Sequence, residues 1–255
     1  MNEAYLYKYL DVTGASMMLY YRTLMFTNAT KLNDPFDCHP GLIEFSNVPK
    51  ERSGIWPAKN IEAIELNRYQ RNREKIWLCS LSKVHDSLLM WSYYNSHKGV
   101  CVKLDMKKTK SYLSKMFGEI LIGCLELEVQ YKDVIEKPDY FKDSEDFIRY
   151  QMSTKAKAWQ HEQEVRLITI DPSPRFMKLL PDQSEINGPI DWKDVHAFLE
   201  LGGECFESVY LGVNIDAKQK EKITKVARMC NPDIKVYKMN VDPDAFKLEE
   251  ELLKP

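Results

Sequence analysis

The sequence predicts an α+β fold: a bent, mostly antiparallel mixed sheet with flanking helices. Its 255 residues, 44 % of them hydrophobic, are enough to bury a substantial core. Segments with strand alternation and segments with helical spacing both occur, but they do not alternate as regular β–α–β units. There is no Gly-x-Gly-x-x-Gly motif and no Walker loop, which argues against a Rossmann fold and a P-loop nucleotidase. Because no long linker divides the chain, we expect one domain over residues 1–255.

The predicted strands are short apolar runs or segments in which apolar and polar residues alternate. Val100, Val102 and Leu104, for example, would share one face of a strand. In chain order, the predicted strands cover 5–9, 24–28, 76–80, 99–105, part of 121–131, 165–170, 208–213 and 234–239. A loop is expected from 29 to 40, and an irregular excursion from 172 to 189.

Helices are predicted where helical spacing of apolar residues follows a capping residue. Asp11 or Thr13 can cap the first helix. Asp86 or Ser87 can cap a short one, and Asp216 the last. In chain order, the predicted helices cover 12–21, 61–75, 88–95, 144–159, 192–201 and 217–230.

Charge and cysteine content argue against several classes of partner. A net charge of −2 and scattered Lys and Arg residues are not typical of a nucleic-acid-binding protein. The local basic cluster at 107–110 is expected to be a solvated loop or a helix start. The six cysteines form no Cys-x-x-Cys pair, no signal pattern opens the chain, and no apolar run approaches the roughly 20 residues that span a bilayer. We therefore expect a cytoplasmic protein with reduced, buried thiols and no membrane partner.

The first candidate site is the Asn33-Asp34-Pro35 turn that follows the second strand. The Asn33 and Asp34 side chains can hydrogen-bond backbone N–H groups, and Pro35 restricts Asp34 to extended geometry. One interpretation is a structural turn beside a buried Phe36. The other is a loop that lines a ligand cleft, with Asn33 or Asp34 contacting the ligand.

The second candidate site joins Ser80 and Ser82 to the aromatic residues of the following helix. The serines can hydrogen-bond a polar ligand, and Trp91 or Tyr94 can offer a stacking surface. Because Trp91 lies on the same helical face as Leu88, we expect it in the core. No Gly-x-Ser-x-Gly motif surrounds a serine, so a hydrolase triad is not indicated.

The third candidate site is the stretch from Trp159 to Ile168, where four ionisable groups lie within six residues. The preceding residues place Ile148, Met152, Ala156 and Trp159 on one stripe, which predicts that a helix over 144–159 leads into it.

On a strand, Glu162, Glu164 and Arg166 would share an exposed face, while Val165 and Leu167 face the core. If the segment is helical, Glu162 and Arg166 form an i,i+4 pair instead. The exposed face is either a structural ion-pair ladder or a site whose carboxylates stabilise a developing cation. His161 and His39 lack metal-ligand spacing, so no metal is expected.

In these places the chain resembles a bacterial family catalogued as domain of unknown function 2971. The matching segments share an order along the chain: Tyr7-Lys8-Tyr9, Phe26-Thr27-Asn28 with Asn33-Asp34-Pro35-Phe36, Cys79-Ser80-Leu81-Ser82, Met90-Trp91-Ser92-Tyr93-Tyr94 with His97-Lys98-Gly99-Val100-Cys101, Trp159 with Glu162, Glu164 and Arg166, and Val209-Tyr210-Leu211-Gly212. The resemblance spans most of the chain and implies a single domain. The family's name implies no activity.

A more remote resemblance is to enzymes of the ADP-ribosyltransferase class. These carry a basic residue on an early strand, a Ser/Thr strand next and a Glu on a late strand, which is similar to the order of Lys8, Ser80 with Ser82, and Glu164 here. The Glu162-Gln163-Glu164 run resembles the Glu-x-Glu of some members. The resemblance implies NAD as co-substrate and a Glu that stabilises an oxocarbenium-like transition state. Lys8 departs from the usual Arg or His, since a lysine cannot make the same planar contact.

The leading hypothesis is an NAD-dependent ADP-ribosyltransferase-like toxin or defence effector. Glu164 would be the catalytic carboxylate, with Glu162 and Arg166 beside it. The residues expected to bind the dinucleotide are Lys8, Tyr9, Ser80, Ser82, Trp91, Tyr94, Asn33 and Asp34. The acceptor molecule is left open.

Two alternatives belong to other functional classes. In a metal-dependent nuclease, the carboxylates of Asp34, Asp37, Glu162 and Glu164 would gather around Mg²⁺. In a non-catalytic sensor or interaction module, the Asn-Asp-Pro turn and the Glu/Arg strand would be scaffold.

Overall fold

The computed structural model describes residues 4–54, 56–94, 96–117, 124–170 and 196–254. It has an α+β architecture in which helices flank a mixed sheet, as predicted. The strands are β1 (Tyr5–Leu10), β2 (Thr23–Asn28), β3 (Ile76–Ser82), β4 (Val100–Asp105), β5 (Leu125–Glu128), β6 (Gln130–Lys132), β7 (Thr154–Ala156), β8 (Glu164–Ile170), β9 (His196–Glu200), β10 (Phe206–Leu211), β11 (Lys235–Val241) and β12 (Leu248–Leu252). The α-helices are α1 (Val12–Tyr21), α2 (Ala58–Lys75), α3 (Leu88–Tyr93), α4 (Met106–Phe117), α5 (Phe147–Ser153) and α6 (Ala217–Cys230).

The large sheet runs in the order β12-β11-β10-β4-β1-β3-β2-β9 and forks at β3. Strand β3 pairs with β1 near Ser82, with β2 near Leu78, and with β8 along its whole length; β8 then pairs with β5. These pairings are antiparallel, and only β10 and β11, which α6 connects, run parallel in this sheet. Strands β6 and β7 form a separate parallel pair. The predicted bent, mostly antiparallel sheet is confirmed.

Different helices and loops pack against the two faces of the sheet. The first, the core face, carries Leu6, Val102 and Val165, and packs against apolar residues of α1, α4 and α6. The second, the site face, carries Tyr9 and Leu127 and packs against Trp91 of α3, Cys38 of the 29–40 loop and Met152 of α5. The central strands are therefore buried on both sides.

Two predicted helices differ from the structure because long-range strand pairing overrides their local pattern. The helix expected over 144–159 ends at Ser153, since residues 154–156 pair with β6 and a 3₁₀ helix, Lys157–Glu162, follows. Only Met152 of its predicted stripe is buried, and Ile148 is 40 % exposed. Residues 196–200 of the helix expected over 192–201 form β9, which pairs with β2 and buries Ala197 and Leu199 in period-two alternation.

Further expectations about single segments have mixed outcomes. The strand predicted at 234–239 is followed by another, β12, and the strand predicted within 121–131 is two strands. The predicted excursion at 172–189 lies outside the described residues. The basic cluster at 107–110 is a helix start, and all six cysteines have free thiols. Within the described ranges, the helices lack the combined length and apolar character that a membrane span needs.

Asp216 caps α6, as its sequence position predicts, because its side chain accepts a hydrogen bond from the Gln219 N–H at 2.9 Å. Replacing Asp216 by alanine should lower the free energy of unfolding by about 1 kcal/mol, the usual cost of losing such a cap. Urea denaturation measures this loss. The matched control is Lys218→Ala, an exposed position in the first turn of the helix that should change stability by less than about 0.5 kcal/mol. Equal effects of the two substitutions would contradict the capping role.

Candidate functional site

Five charged side chains meet on the site face, and we call them the ion cluster: Asp37, Lys155, Glu162, Glu164 and Arg166. Strand β8 begins at Glu164, directly after Gln163, whose φ of 42° ends the 3₁₀ helix. Glu164 and Arg166 are 3 % and 0 % exposed. The predicted exposed face of this strand is therefore wrong, because the 29–40 loop and α5 cover it. The prediction that Val165 and Leu167 face the core is confirmed.

The Arg166 guanidinium holds the ion cluster together. It donates to Glu164 Oε1 at 2.9 Å and Oε2 at 3.1 Å, and to Asp37 Oδ2 at 2.7 Å. It also donates to the Met152 carbonyl at 2.7 Å and contacts Cys38 Sγ at 3.3 Å. These contacts use the five N–H donors of the guanidinium, so Arg166 has no free donor for a ligand.

Lys155 lies at the centre of the three carboxylates. Its Nζ is 2.9 Å from Glu164 Oε2 and 3.8 Å from Asp37 Oδ2, and it also donates to the Glu162 carboxylate. Three of the four carboxylates proposed for a magnesium site thus converge, but around an ammonium group. The fourth, Asp34, uses Oδ1 to accept the Phe36 N–H in a turn. No group of three His, Cys, Asp or Glu residues in the described ranges is arranged to hold a metal.

Opposite pKa shifts separate the two glutamates of the ion cluster. Burial alone would raise the pKa of Glu164, but the Arg166 guanidinium and the Lys155 ammonium outweigh it and hold that pKa well below its usual range. Burial raises the pKa of Glu162 above its ordinary value, although Lys155 opposes the shift. Three carboxylates face two cations, and Glu162, with its side chain 19 % exposed, is the most exposed of the three.

Ser80 and Ser82 of β3 lie beside the ion cluster, as the sequence suggested. They stand directly opposite Arg166 and Glu164 in the antiparallel register, so all four side chains share the site face. The Ser80 hydroxyl hydrogen-bonds the Glu164 carboxylate, which helps to lower its pKa. The Ser82 hydroxyl donates to the Glu162 carbonyl at 2.7 Å and accepts from the Val84 N–H at 3.2 Å.

Lys8 does not join these residues, which corrects its predicted place. Tyr7 stands opposite Ser82, so the next side chain along β1 points to the other face of the sheet. There Lys8 lies between Leu6 and Leu10, both packed in the core, and its Nζ donates to the Ser80 carbonyl at 2.8 Å. Lys8 and Glu164 are therefore separated by the sheet itself.

The aromatic residues predicted to border a ligand form a closed cluster. Trp91 is fully buried, as the core prediction requires, and its Nε1 donates to the His85 carbonyl at 2.7 Å. Tyr9 is 2 % exposed and contacts the Trp91 and Tyr94 rings at 5.4 and 5.9 Å between centroids. Neither Trp91 nor Tyr9 borders an open site, and only the partly exposed Tyr94 lies at the surface of this cluster.

The Asn33-Asp34-Pro35 turn is a structural Asx turn. Asp34 is 5 % exposed and Asn33 is exposed, and Phe36, expected to be buried, is 58 % exposed. The contribution of this loop to the site comes from the residues that follow it. Asp37 binds Arg166, and the Cys38 thiol, whose pKa burial raises to about 12, stays protonated against it.

Lys155 is the site residue that sequence reasoning missed. It lies outside the predicted charged stretch, in a segment whose spacing favours a helix, and pairing of β7 with β6 is what directs it into the ion cluster. Asp37 was considered only as a metal ligand. The excess of carboxylates near Arg166 is a signal that a second buried cation is needed. No sequence pattern indicates that this cation is Lys155.

Comparisons with protein-family models, with curated proteins and with solved structures each give no match. The resemblances to the family of unknown function and to ADP-ribosyltransferases remain predictions, so the function is argued from the site alone.

Proposed function

We propose that this chain is an NAD-dependent ADP-ribosyltransferase-like enzyme whose site is the open rim of the ion cluster at Glu162. The observation that carries the proposal is the pair of glutamates bound to one ammonium group with pKa values shifted in opposite directions. Such pairs are typical of sites that need one permanently ionised carboxylate and one that exchanges a proton.

The chemistry follows from the charge of the ion cluster. With Glu162 protonated, two carboxylates balance two cations; when Glu162 ionises, the cluster gains a net negative charge at its partly exposed rim. That charge would stabilise the positive charge that develops on the nicotinamide ribose as its C1–N bond breaks and nicotinamide leaves with the bonding electrons. Glu164, oriented by Ser80 and Arg166, stays ionised throughout and supplies a constant negative charge beside Glu162.

The geometry revises the roles of the predicted residues. Glu162 replaces Glu164 as the carboxylate that contacts the substrate, and Glu164 becomes a positioning residue. Ser80 and Ser82 support the two glutamates, while Lys8 and Trp91 have no part in the proposal. Six free thiols suit a reducing compartment, so we place the enzyme in the bacterial cytoplasm as a toxin or defence effector.

Replacing Glu162 by glutamine should reduce the release of nicotinamide from NAD by about 100-fold or more, the usual contribution of a positioned carboxyl. The purified protein is incubated with NAD, with and without cell extract as a source of acceptors, and nicotinamide is measured by chromatography. The matched control is Glu128→Gln, because Glu128 is an exposed carboxylate on the neighbouring β5 that binds Lys83. Absence of nicotinamide release by the unaltered protein under every condition would refute the transferase.

A non-catalytic interaction module is the second candidate, and the saturation of Arg166 favours it. A guanidinium with all its donors used inside the protein is typical of a scaffold. NAD distinguishes the two: for a transferase it should raise the melting temperature of the Glu162→Gln variant, whereas for a module it should leave it unchanged.

A further inference from the structure

His161, next to Glu162, has a fixed tautomer. Its Nδ1 lies 3.1 Å from the Ala158 carbonyl oxygen. Because a carbonyl oxygen only accepts hydrogen bonds, Nδ1 must carry the proton, and Nε2 of the neutral ring is then a bare acceptor. The 3₁₀ helix Lys157–Glu162 makes this contact local, three residues apart, so it forms wherever that helix does.

The bare Nε2 has no hydrogen-bond partner among the described residues and makes almost no contact with solvent. An unpaired buried acceptor destabilises the fold, and such groups are rare enough to need an explanation. The ring is held by two aromatic neighbours, Tyr93 at 5.4 Å and Trp159 at 6.3 Å between centroids. Trp159 in turn carries the Lys155 ammonium over its ring at 5.2 Å, which ties His161 to the ion cluster.

We propose that Nε2 of His161 accepts the proton of the acceptor molecule, a hydroxyl compound or water, during the transfer. This inference rests on the proposed function. With water as acceptor, the C1–N bond to nicotinamide breaks, a C1–O bond forms, and the proton of the attacking water passes to Nε2. Nicotinamide leaves neutral with the bonding electrons, and imidazolium later releases its proton to solvent.

The surroundings of His161 leave Nε2 free to accept a proton from the acceptor molecule. Lys155 already donates to the Glu162 carboxylate, whereas Nε2 has no competing donor among the described residues. The titratable and charged groups that face His161 are Glu162 on its own segment, Tyr93 on α3, and Lys155 behind Trp159. The proposal requires the Tyr93 side chain, which is 59 % exposed at the end of α3, to turn aside and admit an acceptor.

The tautomer is tested first, without any activity measurement. The chain has five histidines, so protein labelled with ¹⁵N-histidine gives five ring spin systems, and loss of one in His161→Asn assigns it. At alkaline pH, where the ring is neutral, two-bond ¹H–¹⁵N correlation should show a protonated Nδ1 and an unprotonated Nε2 for His161. The opposite tautomer would overturn the inference whatever the enzyme does.

Two substitutions then separate proton transfer from positioning. His161→Asn keeps a donor for the Ala158 carbonyl, and His161→Gln places an amide near Nε2, but neither side chain takes up a proton. NAD hydrolysis by both variants should fall by about 100-fold, and its pH profile should change. Recovery of the unaltered rate and pH profile in His161→Asn would show that the residue only positions Glu162. If the unaltered protein hydrolyses NAD and both variants match it, this inference fails while the proposed function stands; an inactive unaltered protein refutes both.

Discussion

Replacing Arg166 by methionine is expected to lower the free energy of unfolding by about 3–5 kcal/mol. Arg166 is fully buried and pairs with both Asp37 and Glu164. Without it, two buried carboxylates keep only Lys155 as a cation, and removing one partner of a buried ion pair costs about this much. Methionine fills a similar volume, so the loss reports charge and hydrogen bonding more than an empty cavity.

Urea denaturation at neutral pH measures the Arg166→Met loss. The matched control is Lys157→Met, which removes an exposed cation paired with Asp133 at 2.7 Å. An exposed pair contributes less than about 1 kcal/mol, so the control should stay close to the unaltered protein. A loss below 1 kcal/mol for Arg166→Met would mean that the ion cluster is not a cooperative part of the fold.

Glu164→Gln should also destabilise the protein by about 3–5 kcal/mol at neutral pH, but its effect should disappear in acid. Glu164 has a pKa in the folded state below its unfolded value of about 4.3. A depressed carboxyl pKa contributes stability that is present above the unfolded pKa and is lost as pH falls towards the folded pKa. The unaltered protein should therefore lose stability below about pH 4.3 more steeply than Glu164→Gln does.

Glu162 should affect the pH dependence of stability in the opposite direction to Glu164, although both belong to the ion cluster. Its pKa is raised on folding, so the folded state binds the proton more tightly and loses stability as pH rises through that pKa. Removing the charge should therefore leave the protein as stable or more stable at neutral pH. Urea unfolding of the three proteins at a series of pH values compares these slopes. If the free energy of unfolding changed with pH in the same way in Glu162→Gln and Glu164→Gln, the division of roles between the two glutamates would be contradicted.

Sequence patterns predicted the parts of the fold that depend on interactions between neighbouring residues. Asp11 and Asp216 cap the helices expected of them, since a cap needs only neighbouring N–H groups. Alternation identified β4 because its apolar residues pack on one face. The same alternation did not identify β9. Its two buried residues, Ala197 and Leu199, lie in a segment too short to distinguish a strand from the predicted helix.

Three of the five residues of the ion cluster were predicted as a group from the sequence, but their burial and their two remaining partners were not. The sequence placed Glu162, Glu164 and Arg166 in one candidate site and Ser80 with Ser82 in another, and the register of β3 and β8 brings the two together. It placed Glu164 and Arg166 at the surface, because an acid and a base two residues apart on a strand normally face water. Their burial depends on Asp37, 129 residues from Arg166, and on Lys155, and no local pattern reports such distant partners.

The position of β4 has a consequence for synthesis of the chain. Val102 pairs with Lys8 on one side and Val209 on the other, so the middle of the sheet joins segments about 100 residues apart. A nascent chain of about 200 residues has made β4 but not β10, and one edge of β4 has no native partner until the rest emerges. Such an edge is a template for pairing between chains. Slow translation before Phe206 should therefore favour aggregation of ribosome-bound chains, whereas a pause after β10 has emerged from the ribosome should not.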